Sequence, residues 1–305
     1  MIERLGYACV VRGIEAMTSR TCRLANATPE RLRALIADNL AGLAAILRYN
    51  LEKEIRLFRI SSGLIPFGSL PVNAVPWWDE FAAELSELGA YARAHAMRLT
   101  MHPGQFTVLA SPNPAVVQAA VDELVYHARV LDALGLETEC KLTIHGGGTY
   151  GDKAAAIERF RQVYLTLPEP VVRRLVVEND ERSYSAADVL DIHAGTGIPV
   201  IFDALHDQVN PSPGFSDRAD LLVACFATWR GADGRPLSHF SSQDPTKRPG
   251  AHAEWLDPRD FLAFDRDTGP VPVDCMLEAK GKDLALLRLR QALSTASVRF
   301  APTVG

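Results

Sequence analysis

RLTMH at residues 98–102 and KLTIH at residues 141–145 share one form: a short run with alternate apolar positions, closed by a histidine. Runs of this length with period-two alternation read as strands, because successive side chains leave a strand on opposite faces. Four further runs carry a ligand-type side chain at or near their ends: LVVE (175–178), VIFD (200–203), LSHFSS (237–242) and CMLE (275–278). In a closed parallel barrel the alternate faces are the barrel axis and the helix layer. Thr143 and His145 then face inward while Leu142 and Ile144 pack outward, and Val176 and Glu178 face inward on the next strand.

Working outward from these runs, the strand candidates number eight: 5–10, 55–61, 98–102, 141–145, 175–178, 199–203, 237–241 and 273–278. Between and after them lie amphipathic stretches of helical length, at 29–49, 77–96, 114–134, 153–167, 186–194, 217–228, 258–264 and 284–294. Leu32, Leu35, Ile36, Leu40, Leu43 and Leu47 recur at helical spacing in the first of these. Thr28-Pro29 and Asp257-Pro258 each place a capping side chain before a proline suited to the first helical position. Parallel strands need a crossover between them, and a helix is the usual one. Eight strand–helix pairs in strict alternation predict an α/β fold, a single (β/α)8 TIM barrel over residues 1–305. A doubly wound nucleotide-binding sheet would carry a glycine-rich turn after its first strand; YACVVRG (7–13) has none, so no nucleotide cofactor is expected.

Composition narrows the class. The 305 residues carry a formal net charge of −5, so a nucleic-acid partner would have to be held by a local basic patch or bound cations. Five scattered cysteines (Cys9, Cys22, Cys140, Cys225, Cys275) form no C-x-x-C pair, which argues against a disulfide scaffold or zinc ribbon and fits a reducing compartment. There is no membrane-length apolar run and no signal-peptide pattern, so a cytoplasmic location and no membrane partner are expected. A monomer is the default expectation.

The chemistry sits at the strand ends. His102, His145, Glu178, Asp203, His239 and Glu278 converge on the C-terminal mouth, joined by His206 and His252 from the following loops. His95, His127 and His193 fall inside helical stretches and read as surface or satisfied helix residues. A lone histidine after a strand is usually a hydrogen-bonding residue. Buried carboxylates, though, are costly unless paired or bound to metal, and a whole set at one mouth favours metal. The cysteine-free donor set suits two or three divalent ions, Mn2+ or Zn2+, with Mg2+ as an alternative. Adjacent ions sharing a carboxylate suit phosphodiester hydrolysis, with Glu178, Asp203 and Glu278 as the catalytic carboxylates. A metal-dependent sugar isomerase or epimerase on the same barrel is the rival reading.

MHPGQF (101–106), IHGGGTYGDK (144–153), LVVENDERSYS (175–185), FDALHDQVNP (202–211), SSQDPTKRPGAH (241–252) and EAKGK (278–282) together resemble the UV damage endonucleases. LGYAC (5–9) and FRISSGLIPF (58–67) extend the likeness over nearly the whole chain. That family is itself related to endonuclease IV-type barrels. The resemblance implies a metal-dependent DNA repair endonuclease that incises the phosphodiester immediately 5′ of UV photoproducts in double-stranded DNA. It implies that the eight residues above are metal ligands, with Glu178 bridging. It also implies that Tyr7 and Gln105 probe the lesion from within the duplex. Ser69-Leu70-Pro71 stands where many relatives carry a histidine in the middle of the run, and Leu237 where many carry a carboxylatable lysine. Both departures remove polar groups, so a Glu178-bridged pair of ions is expected with a weakly held third. A lesion-binding protein with reduced catalysis is the corresponding alternative.

Other residues read more plainly. Lys247 and Arg248, with Lys280 and Lys282, lie in loops beside the expected metals and are placed to hold phosphates. Gly146-Gly147-Gly148 either cradles a phosphate or gives the backbone room beside His145.

Overall fold

The structure, a computed structural model, describes residues 1–300, with side chains through residue 295. Eight parallel strands close into a barrel in sequence order. They are β1 (Ile2–Ala8), β2 (Leu57–Ile60), β3 (Arg98–Met101), β4 (Leu142–His145), β5 (Leu175–Glu178), β6 (Val200–Asp203), β7 (Leu237–Phe240) and β8 (Val273–Leu277). Around them run α1 (Pro29–Glu52), α2 (Trp77–Glu80), α3 (Ala82–Ala94), α4 (Pro114–Ala133), α5 (Lys153–Tyr164) and α6 (Glu169–Val172). The outer ring is completed by α7 (Ala186–Thr196), α8 (Ala204–Val209), α9 (Arg218–Phe226), α10 (Pro258–Asp267) and α11 (Lys282–Phe300).

The predicted caps form. The Thr28 hydroxyl accepts from Arg31 N at 3.3 Å and the Asp257 carboxylate from Arg259 N at 2.8 Å. Two expectations shift. The first strand ends two residues early, because Cys9 turns out of the sheet at φ 67°. The helix expected over 77–96 divides at Phe81, whose φ −110° and ψ 24° leave the helical range.

The barrel interior is layered by strand parity. At the bottom, Arg98 donates to Asp274 at 3.0 Å, with Arg4 and Arg235 beside the same carboxylate. Above it lies an aliphatic layer of Leu57, Val176, Ile201, Leu237 and Met276. The top layer is polar and holds Arg59, His145, Glu178, Asp203, His239 and Glu278. The larger apolar core lies between barrel and helices, built from residues such as Leu32, Phe58, Leu99, Ile144, Val177 and Phe202. Among the described residues no helix is long and apolar enough to cross a membrane, and all five cysteines are free thiols.

Candidate metal centre

Glu178 ends β5 at 1% exposure and organises the mouth. Its Oε1 accepts from His239 Nδ1 at 2.7 Å, while Oε2 lies 3.3 Å from His102 Nε2 and 3.8 Å from His145 Nε2. Two groups of converging donor atoms follow, His102/His145/Glu178 and Glu178/Asp203/His239, and they share Glu178. The fit to a cation rests on buried carboxylate oxygens without partners, Glu178 Oε2 and Asp203 Oδ2. Unpaired polar atoms at such depth cost about 1–3 kcal/mol each, and a bound divalent ion removes that cost.

The surrounding groups aim these donors. His102 Nδ1 donates to the Pro103 carbonyl at 2.9 Å, which turns Nε2 toward Glu178. Asp203 caps α8, its Oδ1 accepting from His206 N at 2.8 Å, so Oδ2 remains for the centre. Asn179 clamps the ends of β5 and β6 together: it accepts from Asp203 N at 2.8 Å and donates to Asp203 O at 3.1 Å. Its own carbonyl accepts from His206 Nδ1 at 2.9 Å, leaving Nε2 of that ring for the mouth. His206 and His252 have ring centroids 6.2 Å apart, and His252 Nδ1 lies 3.8 Å from Glu278 Oε2. Glu278 Oε1 is taken by Arg59 at 2.5 Å.

The field of the site is negative. Burial alone would lower the pKa of His206, yet Asp203, then Glu178 and Glu278, outweigh it and raise the group to about 9. Burial pushes the Asp203 carboxyl up. The same burial would raise Glu178, but His239 and His145 hold it well below the usual carboxylate range.

All eight expected ligands thus lie around one mouth, five of them in the two donor groups and His206, His252 and Glu278 beside them. One lesion-probe expectation is corrected. Tyr7 is fully buried between barrel and helices, its hydroxyl donating to Asn50 Oδ1 at 2.8 Å and its ring 5.1 Å from Phe58. A side chain fixed there cannot reach DNA; the outward parity of β1 decides it. Gln105 is exposed as expected, and its neighbour Phe106, which sequence reasoning passed over, is 72% exposed. Gln105 lines one cavity with His145, Gly147, Glu181, Arg182 and Arg248.

His127 is also corrected: it is completely buried, with Nδ1 donating to Glu123 O at 2.8 Å and Nε2 unpartnered. The glycine run provides room, since a Cβ on Gly146 would come within 2.7 Å of the Tyr184 ring. Of the four cations expected in loops, Lys247 and Lys280 both approach Asp244, at 3.0 and 3.5 Å, Arg248 is 71% exposed, and Lys282 is half-buried and opens α11 instead of lying in a loop. Leu237 is buried directly below His239, as its parity requires, and Leu70 is half exposed in the turn after β2. Arg59 was missed, although its parity with Leu57 marks it as inward-facing.

Residues 3–301 match the family described as UV-endonuclease UvdE. A UV DNA damage endonuclease from Clostridium perfringens (strain 13 / Type A) is 35% identical over 291 residues, covering 95% of this chain and 70% of that protein. The crystal structure of SacUVDE superposes with a TM-score of 0.89 at 35% identity, over 96% of this chain and 99% of that one. Endonuclease IV from Thermus thermophilus shares the fold, at 17% identity and a TM-score of 0.59 over 96% of this chain and 100% of that one.

Proposed function

The chain belongs to the UV-endonuclease UvdE family, and from that premise we propose that it is a metal-dependent DNA repair endonuclease, incising the phosphodiester immediately 5′ of UV photoproducts. The observation that carries the reading is the pair of buried donor groups sharing Glu178 at the barrel mouth. Two or three divalent ions, Mn2+ first among the candidates, would be held by His102, His145, Glu178, Asp203 and His239, bordered by His206, His252 and Glu278. When bound, such ions supply Lewis-acid activation of water and of the phosphoryl group.

The chain's own residues do the rest. Glu178 brings one oxygen to His239 Nδ1 and turns the other toward His102 and His145. Arg248 lines the cavity that also holds His145 and Gln105, and with Lys247, Lys280 and Lys282 of the neighbouring segments it would suit a polyanion better than a neutral sugar. Gln105 and Phe106, on an exposed turn closed by Thr107 N donating to Gly104 O at 2.9 Å, form a wedge for a damaged step. A lesion weakens stacking and pairing, so the wedge enters there at least cost. The test is to incubate UV-irradiated and undamaged end-labelled duplexes with the protein and Mn2+ and to map nicks. Nicks confined to positions 5′ of photoproducts are expected. Retention of the damaged duplex without cleavage would favour a lesion-binding protein, and equal cutting of both duplexes would remove the repair assignment.

A further inference from the structure

The loop joining β1 to α1 (9–28) carries three arginines and one glutamate on a chain whose net charge is −5. It is irregular apart from one short turn at Leu24–Asn26, yet two buried side chains fix its course. Asp283 accepts from Arg12 N at 2.7 Å and from Gly13 N at 2.9 Å. Asn39 of α1 accepts from Arg20 N at 2.7 Å and donates to Arg20 O at 3.1 Å and to Leu64 O at 3.0 Å. The loop is thereby tied to the one after β2. A Cβ on Gly63 would lie 3.1 Å from Ser19 Cβ, and Ser62 donates to His102 O at 2.8 Å. Arg20 is thus joined to a candidate ligand through Ser19, Gly63 and Ser62.

Arg12 is held by Glu254. Arg20 and Arg23 are exposed, and among the described residues neither guanidinium has a hydrogen-bond or ion-pair partner. On a loop anchored at both points, they present two donor forks at the rim of the mouth. Charges more than about 10 Å apart are largely screened at 0.1 M salt, so the rim answers to its own cations and not to the acidic total. Position adds a second argument. With eight strands in sequence order, β1 stands opposite β5 in the barrel. Arg248 Nη1 lies 3.9 Å from Glu181 Oε1, in the segment after β5. The two sets of cations therefore flank the donor groups from opposite sides, as the two walls of a cleft.

We propose that Arg20 and Arg23 form a second phosphate-binding wall, which grips the backbone of a DNA duplex on the side of the donor groups opposite Arg248. The inference rests on the endonuclease reading above, and its test separates the two. Binding of an undamaged labelled duplex is titrated in Mn2+ at several salt concentrations, and kcat and KM are measured on a photoproduct duplex. In Arg20→Gln/Arg23→Gln, affinity should fall by about tenfold or more at low salt, and the slope of log K against log salt should shrink by about one per arginine. KM should rise while kcat, the nick position and the Mn2+ content stay fixed, since neither residue offers a metal donor. Arg20→Lys/Arg23→Lys should keep the slope, because it keeps the charge. Arg48→Gln/Lys53→Gln removes the same charge from exposed positions at the far end of α1 and should leave affinity and slope unchanged. Unchanged affinity and slope in the folded Arg20→Gln/Arg23→Gln protein, or an equal loss in Arg48→Gln/Lys53→Gln, would overturn the proposal. Should the first double variant fail a thermal-melt check, Arg23→Gln alone, which leaves the Asn39 bonds to Arg20 in place, decides by a slope change of about one. Failure of the unaltered protein to bind any duplex, damaged or not, would overturn the endonuclease reading itself.

Discussion

Glu178 is where a single atom change should matter most. Glu178→Gln keeps the shape of the side chain but removes the charge shared by both donor groups, so incision should fall by about a thousandfold or more. Binding of a damaged duplex, proposed to rest on Arg248, Lys247, Lys280 and Lys282, should change far less; gel-shift and nicking assays on one preparation check both. His127 gives a stability prediction of known sign. Burial, together with the nearby His102, lowers its pKa from 6.5 to about 4, against the hydrogen bond to the Glu123 carbonyl. The unfolded chain therefore binds a proton that the folded one refuses between those values, and stability must fall as pH drops through that window, by about 3 kcal/mol in total. Urea unfolding at pH 4.5 and 7 should show that loss, and His127→Gln should flatten it. The convergence of the candidate donors was legible in the sequence because a histidine or carboxylate at an inward strand end must face the barrel mouth. Tyr7 was misread for the converse reason: an aromatic at an outward position packs against helices, and parity outranks the motif that surrounds it.

Asn179 works between elements. Its side chain joins β5 to β6 by two backbone hydrogen bonds, and its carbonyl orients His206 on α8. Asn179→Ala should cost about 2 kcal/mol of stability and weaken ion affinity by about 10–100-fold, seen by thermal melts and Mn2+ titration. Unchanged ion affinity would assign Asn179 a purely structural part. The turn after β3 is the other element with a defined job. Phe106→Ala should slow incision at photoproducts by about tenfold or more while ion content stays fixed, since its ring is 72% exposed and offers no metal donor. Equal loss on lesion-free substrates, such as a nonspecifically cut duplex, would contradict the wedge. These element-level features were harder to read from sequence. The N-caps were visible as Thr-Pro and Asp-Pro pairs. The Asn179 clamp depends on two strand ends meeting, which no local pattern records, and the break at Phe81 has no proline or glycine to announce it.

For the whole molecule, eight strands and their crossovers could be placed because parallel closure leaves few other arrangements for strict strand–helix alternation. The short α6 and α8 were not foreseen: four and six residues carry too little periodicity. The claim that unites fold, site and family is metal-dependent incision beside a lesion. It is tested most directly with a 5′-labelled duplex carrying one defined photoproduct, protein stripped of metal, and Mn2+ added back in steps. The account predicts no cleavage by the stripped protein, restoration on adding Mn2+, and a single nick immediately 5′ of the photoproduct that Glu178→Gln does not make. Cleavage that persists in excess chelator, or a Glu178→Gln protein that nicks at the unaltered rate, would contradict it.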